Sequence, residues 1–203
     1  EEERVKDRVL SPDVFGGPAA VEALQADAAI GRLTTTTTSP VDDQGRLTEI
    51  HVFGGRSFSI RDADGGLVYD SGSDLERLVA QRLPQEFNSD NAENDSFDNR
   101  SDNKGPEPEG IEIGRVAGRT YAFVGLERVG GIVVYDITDP ARASLVDYVS
   151  TRDFAGDLES NGSDSGPEGL VFVAEEDSPT GRPLLVVGNE VSGTTTLYEV
   201  TGR

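Results

Sequence analysis

Short apolar runs of four to seven residues, rich in Val, Ile, Thr, Tyr and Phe, alternate with clusters of Gly, Asp, Asn and Pro along the chain. That rhythm is the signature of strands joined by turns. A first group of runs covers Leu33–Thr38, Glu49–Phe53, Ser57–Arg61 and Leu67–Tyr69, with Asp42-Asp43-Gln44-Gly45 and Asp62-Ala63-Asp64-Gly65 as turn sequences between them. A second covers Gly110–Gly114, Thr120–Val124, Ile132–Asp136 and Ser144–Val149. A third covers Gly169–Ala174, Leu184–Val187 and Thr194–Val200. Two stretches carry helical spacing instead. Gly17–Asp27 has Pro18 near its start, and Ser73–Leu83 has Ser73 and Glu76 at capping-box spacing with Pro84 as a stop.

The groups repeat one another. Pro108–Ile111 reads PEGI and Pro167–Leu170 reads PEGL. VGLERVGGIVVYDIT at Val124–Thr138 aligns without a gap to VGNEVSGTTTLYEVT at Val187–Thr201, with Val, Gly, Glu, Gly, Tyr and Thr recurring at the same spacing. The first group joins more loosely through Phe53-Gly54-Gly55-Arg56. Repeated four-stranded units of this size are blades of a β-propeller. The expected fold is therefore all-β, a partial propeller of about three four-stranded blades near residues 32–72, 108–150 and 167–203, within one domain. The last blade lacks its closing strand. A three-blade arc leaves open edges, so a strand from elsewhere is expected to complete it.

Composition narrows the functions. The 203 residues carry 38 acidic against 18 basic side chains, a formal charge of -20. Nothing offsets phosphate repulsion, so a nucleic-acid role is excluded, and cations are the natural partners. The basic residues are 16 Arg and two Lys, Lys6 and Lys104, a bias that fits either a GC-rich genome or a salty habitat. Cysteine is absent, which rules out thiol catalysis, disulfides and thiolate-held metals. No apolar run reaches the length of a spanning helix. The chain opens on Glu1-Glu2-Glu3 with no signal peptide, as a mature or trimmed N-terminus would.

The candidate chemistry follows from the repeat. In a propeller blade the loop leading in and the turn after the second strand share one face. Glu109 and Glu168 stand in the lead-in segments of the second and third groups, and Glu127 and Glu190 just past their second strands. Arg56 takes the equivalent place in the first group. Four carboxylates gathered at one mouth would repel and raise each other's pKa unless a cation joined them, and a hard divalent ion such as Ca2+ suits their oxygens. Arg56 would hold an anion against that ion, and phosphate fits its fork. Each Glu after a second strand could equally be a loop residue accepting backbone N–H groups. Two acidic loops, residues 85–107 and 153–166, add Asp95, Asp98 and Asp102 as alternative calcium ligands, without the strict spacing of a calcium-loop motif. They also read as plain solvated loops, too polar to hold a core. His51 is the sole histidine, flanked by Val52 and Phe53 in an expected strand, and reads as structural. A His-rich zinc site and a phosphate-cradling P-loop are absent from the sequence.

At FGGRSFSI (Phe53–Ile60), DADGGLVYDSG (Asp62–Gly72), NDSFDNRSDNKGPEPEG (Asn94–Gly110), TYAFVGLERVGGIVVYDITDP (Thr120–Pro140), GPEGL and VSGTTTLYEV the sequence resembles the choice-of-anchor I family across nearly its whole length. The family takes in atypical alkaline phosphatase-like and mesenchyme-specific cell-surface glycoprotein-like β-propellers. The resemblance implies an extracellular or cell-surface location. It also implies a calcium-binding propeller with either metal-dependent phosphoesterase activity on a phosphate ester or a non-catalytic adhesive or matrix role. Family domains are roughly twice as long, which implies an N-terminal half, or another chain, that completes the propeller. The Glu107-Pro108-Glu109-Gly110 stretch also looks like the Asp-x-Glu-Gly of propeller phytases. Glu107 replaces the Asp there, and Gly166 stands in its place one repeat later.

Overall fold

The computed structural model describes residues 1–156, 158 and 162–202. Asp157 and residues 159–161 of the second acidic loop, and Arg203 at the end of the third group, lie outside the described residues. The chain forms two compact units, Glu1–Gly54 with Ser101–Lys104, and Gly55–Arg100 with Gly105–Arg203. The described residues hold eleven strands and two short α-helices, an all-β architecture of small sheets. No helix among them is long and apolar enough to cross a membrane.

In the first unit, β1 (Glu2–Arg4) pairs antiparallel with β2 (Thr34–Thr36). The helix α1 (Pro18–Gln25) starts on its proline, where a missing N–H costs nothing. Val5, Leu10 and Leu47 form the core, with Phe15, Val21 and Leu33 packed against it. Gln25 at the helix end donates to the carbonyls of Val5 and Arg8 at 2.9 and 2.7 Å, stitching the N-terminal segment down.

The second unit is layered. The hairpin β3 (Ser59–Arg61) and β4 (Leu67–Asp70), with helix α2 (Asp74–Arg82), forms the first layer. A four-stranded meander follows in chain order: β5 (Pro108–Val116), β6 (Arg119–Leu126), β7 (Ile132–Asp136) and β8 (Ser144–Val149). A three-stranded meander of β9 (Pro167–Val173), β10 (Leu184–Asn189) and β11 (Thr194–Glu199) forms the third.

Strand β6 explains the stacking. Its side chains alternate between two buried faces, which makes it the central strand of a covered sheet. Ala122, Val124 and Leu126 pack with Val133 and Tyr135 against Phe58, Leu75, Leu78 and Val79 of the first layer. The Phe58 and Tyr135 rings meet edge to face at 4.8 Å. Tyr121 and Phe123 face the other way, onto Leu185 and Val187 of β10, and Phe123 stacks on Phe172 at 5.8 Å. Burying each such side chain contributes about 1.5–3 kcal/mol.

Three sequence expectations need correction. The first strand group does not form one four-stranded sheet. Glu49–Phe53 is not a strand, β2 pairs with β1, and β3 pairs only with β4. Both the Thr36 N–H and the Thr35 hydroxyl converge on the His51 carbonyl, and the His51 N–H donates to Ser39 Oγ, bonds at one residue instead of a strand ladder. His51 itself is exposed and meets Glu49 at 2.8 Å. The capping box at α2 does not form, because the Ser73 side chain makes no cap bond and Glu76 turns to Arg56 and Asn88. Of the two readings of the first acidic loop, the plainly solvated one is corrected, since Asn88, Ser89, Asn91, Ser96 and Glu107 are all buried.

Candidate functional site

Backbone pairing sets the site. The Glu127 N–H, just past β6, donates to the Glu107 carbonyl at 2.9 Å, which draws the segment leading into β5 alongside the β6–β7 turn. One repeat later the Glu190 N–H makes the same bond to the Gly166 carbonyl at 2.8 Å. The carboxylate oxygens of Glu107, Glu109 and Glu127 consequently lie within 4.8 Å of one another, the single such acidic group among the described residues.

Glu107 and Glu127 are each 4% exposed, whereas Glu109 opens to solvent. The Glu107 carboxylate meets Arg100 Nη2 at 2.5 Å and Arg128 Nε at 3.0 Å. Glu127 Oε1 accepts from Asn91 Nδ2 at 3.1 Å and pairs with Arg128 Nη1 at 3.0 Å. Arg128 in turn donates to Asn91 Oδ1 at 2.8 Å, closing a ring of three side chains. Burial first, then the hydrogen bond and charge of Glu109 and the charge of Glu107, push the Glu127 carboxyl up to about 8, against the pull of Arg128.

The second pair is more open. Glu168 and Glu190 are both exposed. The charge of Glu190 and its hydrogen bond raise the Glu168 pKa, and the charge of Glu109 adds to the rise. Glu168 thus feels both its own partner and the neighbouring sheet's acid. Glu127, Glu109, Glu168 and Glu190 form a run of electrostatic neighbours across the first strands of two packed sheets.

The other sequence candidates are placed as follows. Arg56 donates from Nη1 to Glu76 Oε1 of α2 at 2.6 Å and lies against Gly105, two residues before Glu107. Asp95 is exposed, and the Asp98 N–H is tied to the Phe87 carbonyl at 2.8 Å. Asp102 belongs to the other unit, where Arg4 and Arg32 reach it at 3.2 and 3.1 Å. The structure does not gather these three aspartates into one group of oxygens.

Sequence reasoning passed over Glu107, Arg100, Arg128, Asn91 and Arg152. Glu107 had a signal, since it stands at the first position of the phytase-like motif. It also takes a left-handed φ of 50° where its repeat counterpart Gly166 has φ 75°. A non-glycine residue there costs about 1 kcal/mol, so the side chain is kept against the preference of the backbone. Arg128 had none in the repeat, because its counterpart is Val191.

The raised Glu127 pKa makes a testable prediction. Between its usual value of 4.5 and about 8 the unfolded chain sheds this proton while the folded chain keeps it. The contribution of this group to stability is therefore intact below 4.5 and falls as pH rises to 8. Denaturant melts at pH 5, 6.5 and 8 should show that decline, and Glu127→Gln, which keeps the shape and the acceptor, should flatten it. An unchanged slope in the variant would remove Glu127 as the cause.

The profile of the Choice-of-anchor I domain matches residues 1–140. Gigasin-3a of Magallana gigas is 32% identical over 197 residues, covering 90% of this chain and 68% of that protein. The Mesenchyme-specific cell surface glycoprotein of Strongylocentrotus purpuratus is 27% identical over 217 residues. That match covers 98% of this chain but 25% of the glycoprotein, so the chain spans a quarter of that relative's length. No solved structure matches the chain significantly.

Proposed function

The chain belongs to the choice-of-anchor I family, and from that premise we propose that it is a secreted or cell-surface domain that binds calcium through Glu109, Glu127, Glu168 and Glu190. The observation that carries the reading is the close group of carboxylate oxygens at Glu107, Glu109 and Glu127, continued by charge to Glu168 and Glu190. Two oxygens that each sit about 2.4 Å from one ion lie at most about 4.8 Å apart, so the spacing fits a shared calcium. The donors are all hard oxygens, which favours calcium over zinc. A cation would also offset the burial and the neighbouring acids that hold Glu127 protonated. The surface location is supported by the glycoprotein relative, whose printed name places it at the cell surface.

We further propose that the two meanders are neighbouring propeller blades. They pack face to face, their strands follow chain order, and Gly110 of β5 lies against the Glu168 carbonyl of β9, as first strands around a shared axis would. Glu107 would hold Arg100 and Arg128 in place, leaving Glu109, Glu127, Glu168 and Glu190 to the ion. Bound calcium would supply charge compensation and, for a phosphate ester, polarisation of the phosphoryl oxygen.

Phosphoester hydrolysis is the second reading. The observation favouring it is that Glu127 keeps its proton near neutral pH, as a general acid must. That reading needs Arg56 to exchange Glu76 for substrate. Thermal melts with calcium chloride test the first reading. At a hundredfold excess over Kd the midpoint should rise by roughly 5–10 °C. The Glu109→Gln/Glu168→Gln pair should abolish the rise and leave the fold intact; a retained rise would move the site elsewhere. Phosphate release from p-nitrophenyl phosphate, with and without chelator, decides the second reading.

A further inference from the structure

The PEG repeat sets Gly110 against Gly169, and the gapless repeat, extended by one residue, sets Phe123, Gly125 and Val134 of the four-stranded sheet against Val186, Gly188 and Leu197 of the three-stranded one. In the first sheet these positions form the face that receives the second. Phe123 is 2% exposed there. A Cβ on Gly110 would stand 2.5 Å from Leu170 Cδ1, and one on Gly125 would stand 3.3 Å from the same atom and 3.1 Å from the Pro167 carbonyl. The two glycines are a socket. They let the first strand of the next sheet approach closely and seat its leucine.

The same socket recurs on the outer face of β9–β11 and stands open. A Cβ on Gly169 would meet nothing within 4 Å, and one on Gly188 would meet only the Gly169 carbonyl of its own sheet. Val171, Val186 and Leu197 lie in one cross-strand row beside it. Val171 is 57% and Leu197 61% exposed, although Val134, the counterpart of Leu197, packs with the core between the sheets. The face repeats the packing surface of its neighbour without the neighbour's cover.

We infer that this face docks a further β-sheet of the same repeat, with an aliphatic side chain over Gly169 and Gly188 as Leu170 lies over Gly110 and Gly125. The occupant is a sheet of the longer natural polypeptide; both curated relatives extend beyond the matched region, which makes up 68% and 25% of them. The complementary first-strand face of a second copy is not free to serve: Ile111 and Ile113 of β5 are 52% and 56% exposed, but the hairpin and α2 already cover the rest of that face through Phe58 and Leu75. The inference stands apart from the cation site and needs no ion.

Gly169→Leu tests it in two settings. In the 203-residue chain the new side chain enters open space, and the melting midpoint should stay within about 1 °C. In the full natural polypeptide the leucine overfills the socket, and the midpoint should fall by roughly 5 °C or more. Carbene footprinting of the unsubstituted protein gives an independent reading, with Val171 and Leu197 labelled in the 203-residue chain and protected in the full polypeptide. Equal labelling in both forms, or an equal Gly169→Leu effect in both, overturns the inference. So does a dimer of the 203-residue chain in sedimentation velocity that Leu197→Asp abolishes, because the occupant is then a second copy.

Discussion

Replacing Arg152 by Met should cost the protein about 3–5 kcal/mol and lower its melting midpoint by roughly 10 °C. Arg152 is 8% exposed and its guanidinium is the hub of the first acidic loop. Nη1 donates to the Arg128 carbonyl at 2.7 Å, and Nη2 to the carbonyls of Asp90 and Glu93 at 2.8 and 3.1 Å and to Asn94 Oδ1 at 3.2 Å. The head group also lies over the Phe154 ring at 4.4 Å, a contact that methionine partly keeps. Burial pulls the Arg152 pKa down to about 10, so the group stays charged at neutral pH and its four bonds are charge-assisted. The variant leaves the part-buried carbonyls of Arg128, Asp90 and Glu93 without their donor. Hydrogen exchange should quicken at Ala92, whose N–H bonds Asp90 Oδ1 in the same loop. Exchange and stability both unchanged would show that the loop holds itself.

The expected damage reaches the acids through Asn91. Its Nδ2 grips Glu127, and its carbonyl accepts from Ser165 Oγ at 2.7 Å, so one residue of the first acidic loop bridges the β6–β7 turn and the second loop. Loosening Asp90 to Asn94 frees Asn91 and with it the geometry around Glu127. The polar loop is thus a scaffold for the acidic group, with its own hydrogen bonds doing what apolar burial does in the sheets.

What the residue pattern revealed and what it hid have separate physical origins. Strands β5 to β11 were legible because each carries a period-two apolar alternation or a continuous buried run between glycine-rich turns, and because the two meanders share a repeat. The matching positions of Glu127 and Glu190 were legible because backbone register alone fixes where a residue after a second strand lies, and their N–H groups make equivalent bonds to Glu107 and Gly166. The Glu49–Phe53 segment looked like a strand by composition, yet pairing needs a partner edge, and Glu2–Arg4, an unremarkable polar stretch, takes the edge of β2. Glu76 satisfied a capping spacing, but a carboxylate with Arg56 at 2.6 Å gains more from that charge than from a backbone N–H. Arg100, Arg128 and Arg152 were hidden for a different reason. They act across long sequence separations and are not repeated, and a comparison that asks what recurs cannot see what differs between two copies.

That difference between copies gives the second large effect. Gly110→Val should destabilise the protein by about 3 kcal/mol and blunt the calcium response, whereas Gly169→Val, at the equivalent place, should do neither in the 203-residue chain. A Cβ on Gly110 runs into the Glu168 carbonyl and stands 2.5 Å from Leu170 Cδ1; one is main chain and the other a packed core side chain. Relief requires β9 to move away from β5. Glu168 rides on that strand, so the distance between Glu109 and Glu168 must grow with it, and a shared cation loses ligands from one side. The calcium-induced rise in melting midpoint should shrink even after allowance for the lower starting stability. A variant that melts earlier but keeps the full rise would place the ion wholly within Glu107, Glu109 and Glu127, on one sheet. A variant with unchanged melting would mean that the two first strands have room to spare, which the tight approach at Gly110 argues against.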